Sequence, residues 1–298
     1  MTAPTRDDHA VVLTYGKAKA GKSVSAGYSF PRALWFARPD QVESVRSVCG
    51  YSPTLAPPVR YLSDITRLIE QLGRSKNRDQ YDAIVVDDTS VVADETMSYH
   101  EERAGSNKFG AFGKMKSDVF DLRGAARDCG LHVLFNFHQR DPDVKEGKLY
   151  RGGPALPSKN LTDMIPVIAP TVLRAAVDPA RVPWGGIYVC DPTDVNYVSG
   201  DRFNMAPKQG PMNEAELLRS AGFRIRRLPG MDWQDTAADQ VAEQILKGAL
   251  VLDVARRFRD KAESLRLDNR MALWALRDGI DRAEFARHRE AGAWSFLT

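Results

Sequence analysis

Through the first 140 residues, short apolar runs alternate with stretches whose apolar residues recur every three or four positions. The runs fall at residues 10–15, 33–37, 59–62, 83–86 and 131–137, with helical candidates at 22–29, 41–48, 65–72, 90–103 and 114–129. This rhythm of strand and crossover helix predicts a doubly wound α/β domain, a mainly parallel sheet flanked by helices.

The pattern changes further on. Residues 140–159 are polar, charged and rich in Gly and Pro, which predicts a long exposed loop. A helix is expected near 161–168 and another near 214–221, while runs at 172–177 and 186–190 read as antiparallel extensions of the sheet. Beyond Pro229 the chain is charged and helical. Val241, Ile245, Ala249, Leu252 and Ala255 fall on one helical face, followed by helical segments at 268–278 and 281–291. The expected organisation is a core over residues 1–229 and a C-terminal helical extension over 230–298, with a packing role for the extension.

Composition narrows the class. A chain of 298 residues with 43% hydrophobic content suffices for one large core plus an appendage. No apolar stretch approaches the roughly 20 residues needed to span a bilayer, and the first nine residues are polar and charged, so no membrane and a cytoplasmic location are expected. Cys49, Cys129 and Cys190 lie far apart without metal-ligand or redox spacing and read as reduced and structural. A net charge of +3 permits contact with a nucleic-acid backbone without requiring it.

Gly16-Lys17-Ala18-Lys19-Ala20-Gly21-Lys22-Ser23 matches the Walker A pattern and lies between a strand and a helix, ahead of Val24. Binding a triphosphate requires amides that point inward; Gly16 and Gly21 permit the close approach and unusual dihedrals. Lys22 would reach the β- and γ-phosphates of ATP, and the Ser23 hydroxyl would ligate magnesium. Lys17 and Lys19 either add charge near the nucleotide or form a solvated loop face.

The run at 83–86 ends in Asp87 and Asp88, as a Walker B strand does. Adjacent buried acids are costly unless a cation neutralises them, so Asp87 is the expected magnesium ligand. Asp88 orients the attacking water, serves as the base, or caps the next helix with Thr89 and Ser90. The run at 131–137 leads into His138, Gln139 and Arg140 at the edge where open parallel sheets bind ligands. His138 or Gln139 would meet the γ-phosphate or the water, unless backbone groups satisfy the histidine.

With these three segments in order, the chain resembles the RecA-like core ATPases, most closely the phage-encoded AAA-type nucleotide-binding proteins that include RecA-like single-strand annealing proteins. Supporting segments are Ser29-Phe30-Pro31-Arg32, Phe137-His138-Gln139, Gly153-Pro154-Ala155-Leu156-Pro157, Gly200-Asp201-Arg202-Phe203 and Gly210-Pro211-Met212-Asn213. The resemblance covers roughly residues 10–222. It implies a RecA-like P-loop NTPase core, ATP hydrolysis, Gln139 as γ-phosphate sensor, and Arg202 as an arginine finger reaching a neighbouring subunit. A homo-oligomeric ring or filament acting in DNA recombination or annealing, in a host cytoplasm, is implied as well.

Two departures matter. Where the family carries a catalytic glutamate after its second strand, this chain has Ala37-Arg38-Pro39, leaving Asp40 as the nearest acid and implying slow hydrolysis. Gly200 stands where a lysine is expected before Asp201. By the resemblance, single-stranded DNA would meet Lys108, Phe109, Phe112, Lys114 and Lys116 in one loop and Arg140, Lys145, Lys148, Tyr150 and Arg151 in another. A motor acting on a protein partner and an ATP-dependent assembly module with little turnover remain the alternatives.

Overall fold

All but one of the apolar runs of the sequence meet in a single sheet. The computed structural model describes residues 9–165, 169–177, 186–203, 206–225, 232–264 and 269–290. In chain order come β1 (Val11–Gly16), α1 (Lys22–Ser29), β2 (Leu34–Phe36), α2 (Glu43–Cys49), β3 (Thr54–Leu55) and α3 (Leu62–Gly73). After a 3-10 turn follow β4 (Ala83–Val86), α4 (Thr89–Ala104), α5 (Lys108–Asp128), β5 (His132–Arg140), β6 (Asp143–Lys145), β7 (Lys148–Tyr150), β8 (Gly153–Pro154) and α6 (Lys159–Asp163). The rest comprises β9 (Thr171–Val177), β10 (Gly186–Val189), β11 (Gly200–Asp201), β12 (Gln209–Pro211), α7 (Glu214–Ser220), α8 (Asp232–Leu246), α9 (Val251–Ser264) and α10 (Asn269–Glu290).

The strand order is β12-β10-β9-β1-β5-β4-β2-β3. Every pair from β9 to β3 is parallel, and β10, β11 and β12 add antiparallel pairs on the other side. Because β5 lies between β1 and β4, the strand leading into the Walker A loop and the strand leading into Asp87 flank the one that carries His138. This is the order of a RecA-like P-loop α/β fold, and it brings three functional strand ends to one edge.

Period-two sidedness divides the core. Leu13, Tyr15, Ile84, Val133 and Phe135 pack with Ile65, Met97 and Met115 of α3, α4 and α5. Val12, Val85, Leu134 and Leu173 face the other way, toward Ala26 of α1, Val45 of α2, Leu217 of α7 and Phe285 of α10. The nucleotide-loop helix and the last helix therefore share one face.

Several expectations need correction. The run at 59–62 is no strand: the third strand is Thr54–Leu55, and residues 59–61 lead into α3, whose Asp64 accepts from the Tyr61 amide at 3.1 Å. Helix α5 starts at Lys108, six residues earlier than the predicted 114, because Asn107 caps it by accepting a hydrogen bond from Gly110 N at 2.9 Å. The expected first DNA loop is thus the opening turns of a helix. Residues 143–150 form the β6–β7 hairpin within what reads as loop, and β9 runs parallel to β1 where an antiparallel strand was expected.

In the C-terminal part, the apolar stripe over 241–255 breaks at Gly248, whose φ of 94° ends the helix. Val241 and Ile245 are buried, whereas Leu252 is 78% exposed. The segments expected as two helices are one, α10. It crosses α8 closely at Gly279, where a Cβ would lie 2.6 Å from Val241 Cβ. The expected boundary at 229/230 and residues 166–168 of the expected helix lie outside the described residues. No helix among the described residues is long and apolar enough to cross a membrane.

Candidate functional site

Residues 17–21 connect β1 to α1 at the C-terminal edge of the sheet. Lys19 has φ 65° and Gly21 φ 90°, so the left-handed turns fall at these two positions. Gly16 is needed for a different reason: a Cβ there would sit 2.7 Å from the Ala175 carbonyl oxygen of β9. Gly16→Val should force β1 and β9 apart and lower the unfolding free energy by about 1–3 kcal/mol, read from the urea midpoint. An unchanged midpoint would show that β9 yields without cost.

Gly21 is the N-cap of α1 and offers no side chain, and no acid occupies the first turn. The first amides of the helix therefore lack a side-chain cap and point, with the positive end of the helix dipole, into the loop. Lys22, 9% exposed, donates to Gly16 O at 3.0 Å and Lys17 O at 3.2 Å, closing the loop over itself. Burial lowers its pKa, an effect opposed by Asp87 and Asp88. Ala20 is buried, Val24 half-buried, and Lys17, Ala18 and Lys19 exposed.

Ser23 donates its hydroxyl hydrogen to Asp87 Oδ2 at 2.5 Å. Burial pushes the Asp87 carboxyl up; the Ser23 hydrogen bond counters this, Asp88 adds to it, and Asn136 and Lys22 counter it further. One ammonium thus faces two buried carboxylates, leaving the spot short of positive charge. Asn136, 1% exposed, lies against Asp87 and helps hold its carboxyl down through its side-chain amide. Hard oxygen donors with spare negative charge suit magnesium, so Ser23 and Asp87 are the residues fitted to hold it.

Asp88 performs two tasks at once. Its Oδ1 accepts from Ser90 N at 2.8 Å, capping α4, and its Oδ2 lies 2.5 Å from His138 Nε2. The His138 main chain is opposite Gly16 in the sheet, and its amide donates to Ser90 Oγ at 3.0 Å. The half-exposed imidazole is therefore tied to Asp88 directly beside the loop. Gln139 turns elsewhere, donating to Asp141 Oδ1 at 2.5 Å. Asp141 in turn is 4.0 Å from the Lys17 ammonium and accepts from Tyr197 at 3.2 Å. Gln139 consequently reaches the loop only through Asp141.

A cavity of about 500 Å³ is lined by Asp87 and Asp88 together with Arg38, Asp40, Arg60 and Glu95. Asp40 pairs with Arg38 at 3.7 Å and Glu95 with Arg60 at 3.2 Å. Arg202 is not part of this site. It follows β11, which pairs with the start of β9, and its amide donates to Pro170 O at 2.8 Å. That is the opposite sheet edge, about 13 Å along β9 from Ala175 at about 3.3 Å per residue.

Among the groups proposed for DNA, Phe109 is 91% exposed, and Lys108, Phe112, Lys114 and Lys116 are exposed as well. Arg140 and Arg151 are half-buried, the latter donating to the carbonyls of Asp194 and Tyr197. Only Lys145, Lys148 and Tyr150 of the second group stand on the hairpin, where Lys148 and Lys159 lie over the Tyr150 ring. Asn136 and Glu95 escaped the sequence reading of the site, and Ser90 was foreseen at the helix cap but not as the partner of His138. An asparagine inside an otherwise apolar strand was the one visible sign.

The AAA-domain family profile matches residues 8–203. A solved structure of a KaiC-like protein from the hyperthermophilic archaeon Pyrococcus horikoshii OT3 is similar at 11% identity and a TM-score of 0.35, over 61% of this chain and 78% of that one. No curated protein matches the sequence.

Proposed function

Since the chain belongs to the AAA-domain family, we propose that it binds ATP with magnesium on the loop 16–23 and hydrolyses it. The observation that carries this reading is the uncapped start of α1, closed by Lys22 and set against the Ser23–Asp87 pair. Amides of the loop and Lys22 hold the β- and γ-phosphates, and Ser23 and Asp87 hold the metal, which neutralises phosphate charge when bound. His138, steadied by Asp88, orients the attacking water and takes up its proton. Asp40 and Glu95 are the other carboxylates that line the adjoining cavity.

The finer reading is an oligomeric ATPase of DNA recombination or single-strand annealing. Exposed lysines and phenylalanines at the start of α5 support it, since cations neutralise phosphates and rings stack on bases. The position of Arg202 away from its own loop fits a finger acting across subunits. Arg202→Ala should then lower turnover by about 1,000-fold with ATP affinity nearly intact. Normal turnover by this variant would remove the finger role.

One observation favours a second reading, assembly on ATP with little turnover: no carboxylate occupies residues 37–39 after β2. ATPase rates with and without single-stranded DNA, beside the particle mass, separate the two. DNA-stimulated turnover by an oligomer supports recombination; an oligomer that forms on ATP without turnover supports assembly.

A further inference from the structure

The segment following β12 touches both the nucleotide-loop helix and the last helix of the chain. On one side, Ser25 of α1 donates to Glu214 Oε2 at 2.5 Å and lies 2.7 Å from the Met212 carbonyl oxygen. Ser29, one turn further along α1, donates to the same Glu214 oxygen at 3.1 Å. On the other side, Arg277 of α10 donates to the Met212 carbonyl and lies over the Tyr28 ring of α1, 4.5 Å from its centroid. Asn213 donates its amide hydrogens to Asp278 at 3.0 Å and Asp281 at 3.1 Å.

Ser25, Ser29, Asn213, Glu214, Arg277, Asp278 and Asp281 are each less than 9% exposed. Buried polar groups are costly unless partnered, so such a network is kept whole or broken as a unit. Lifting α10 would take from the Asn213 amide hydrogens both carboxylate partners and from the Met212 carbonyl its Arg277 donor, and the contact that fixes the rotation of α1 would loosen with them. Ser25 stands two residues after Ser23, so a turn of α1 displaces the phosphate-facing amides and the hydroxyl fitted for magnesium. Packing reinforces the link: Trp274 of α10 meets the Tyr28 ring edge-on at 5.3 Å.

We infer that Glu214 and Arg277 are positioning residues that couple the docking of α10 to occupancy of the nucleotide loop. Coupling between two sites is reciprocal: nucleotide tightens the docking of α10 by the same factor by which docking tightens nucleotide binding. The inference rests on the proposed nucleotide binding, and its test keeps the two apart.

The test is amide hydrogen exchange on the full chain with and without ADP–magnesium, together with calorimetric titration of ADP–magnesium. In the wild type, exchange in α10 should slow about tenfold at saturation, more than in α5 on the opposite sheet face. Glu214→Leu, which keeps the volume but removes the acceptor for Ser25 and Ser29, should weaken ADP–magnesium binding about tenfold and abolish the effect on α10. Glu214→Gln retains an acceptor and should restore both. Normal wild-type binding with α10 exchange indifferent to nucleotide would overturn the coupling alone, a result that needs no variant to fold. Failure of the wild type to bind ADP–magnesium would overturn the nucleotide reading and this inference with it.

Discussion

Lys22→Ala should weaken ATP–magnesium binding by about 30- to 100-fold while the fold persists. A charge-assisted hydrogen bond to an anion contributes about 2–3 kcal/mol, and each 1.4 kcal/mol is about tenfold in affinity. The ammonium is already held at the loop by the Gly16 and Lys17 carbonyls, so little ordering cost falls on binding. Alanine removes this clasp and the ammonium that acts on Asp87 and Asp88. Calorimetric titration, with circular dichroism as the check on folding, measures the effect. Affinity within a few-fold of wild type would mean that the phosphates lie elsewhere.

Asp87→Asn should reduce magnesium-dependent turnover by about 1,000-fold, the rate equivalent of about 4 kcal/mol. Without metal the sign reverses for stability. Burial penalises the carboxylate and Asp88 adds repulsion, so the neutral amide should leave the metal-free protein as stable as wild type or more stable by about 1–2 kcal/mol. Ser23 retains an acceptor in the asparagine oxygen. Denaturant unfolding in the presence of a chelator reads stability, and phosphate release reads turnover. Undiminished turnover, or a large loss of metal-free stability, would contradict the metal-holding role.

The parallel core was legible because its strands are short unbroken apolar runs, and helix α1 begins at Lys22 as the loop pattern requires. What escaped had no local signal. Thr54–Leu55 is a strand only because β2 supplies its partner, and residues 59–62 after it imitate a strand but lead into α3. The start of α5 depends on the Asn107 cap overriding two glycines, Gly110 and Gly113, that argue against helix. The parallel direction of β9 is a property of chain tracing that no pattern of residues encodes.

Within the site, sequence order delivered the loop, Asp87 and the end of β5, because each lies where a strand stops at the ligand edge. It could not foresee that Asp88 would both cap α4 and bind His138, or that Gln139 would turn to Asp141. Alternation along β5 sends these neighbouring side chains to opposite faces, and only the folded register decides which one meets the loop. The network around Glu214 was equally hidden, since Glu214 lies 189 positions from Ser25 along the chain.

The most direct measurement follows the backbone amide resonances of residues 17–23 during titration with ADP–magnesium. The amides of Gly21, Lys22 and Ser23 should move strongly, as hydrogen bonds to phosphate replace solvent, while those of α5 remain in place. Saturable nucleotide binding that leaves these amides unmoved would contradict the account.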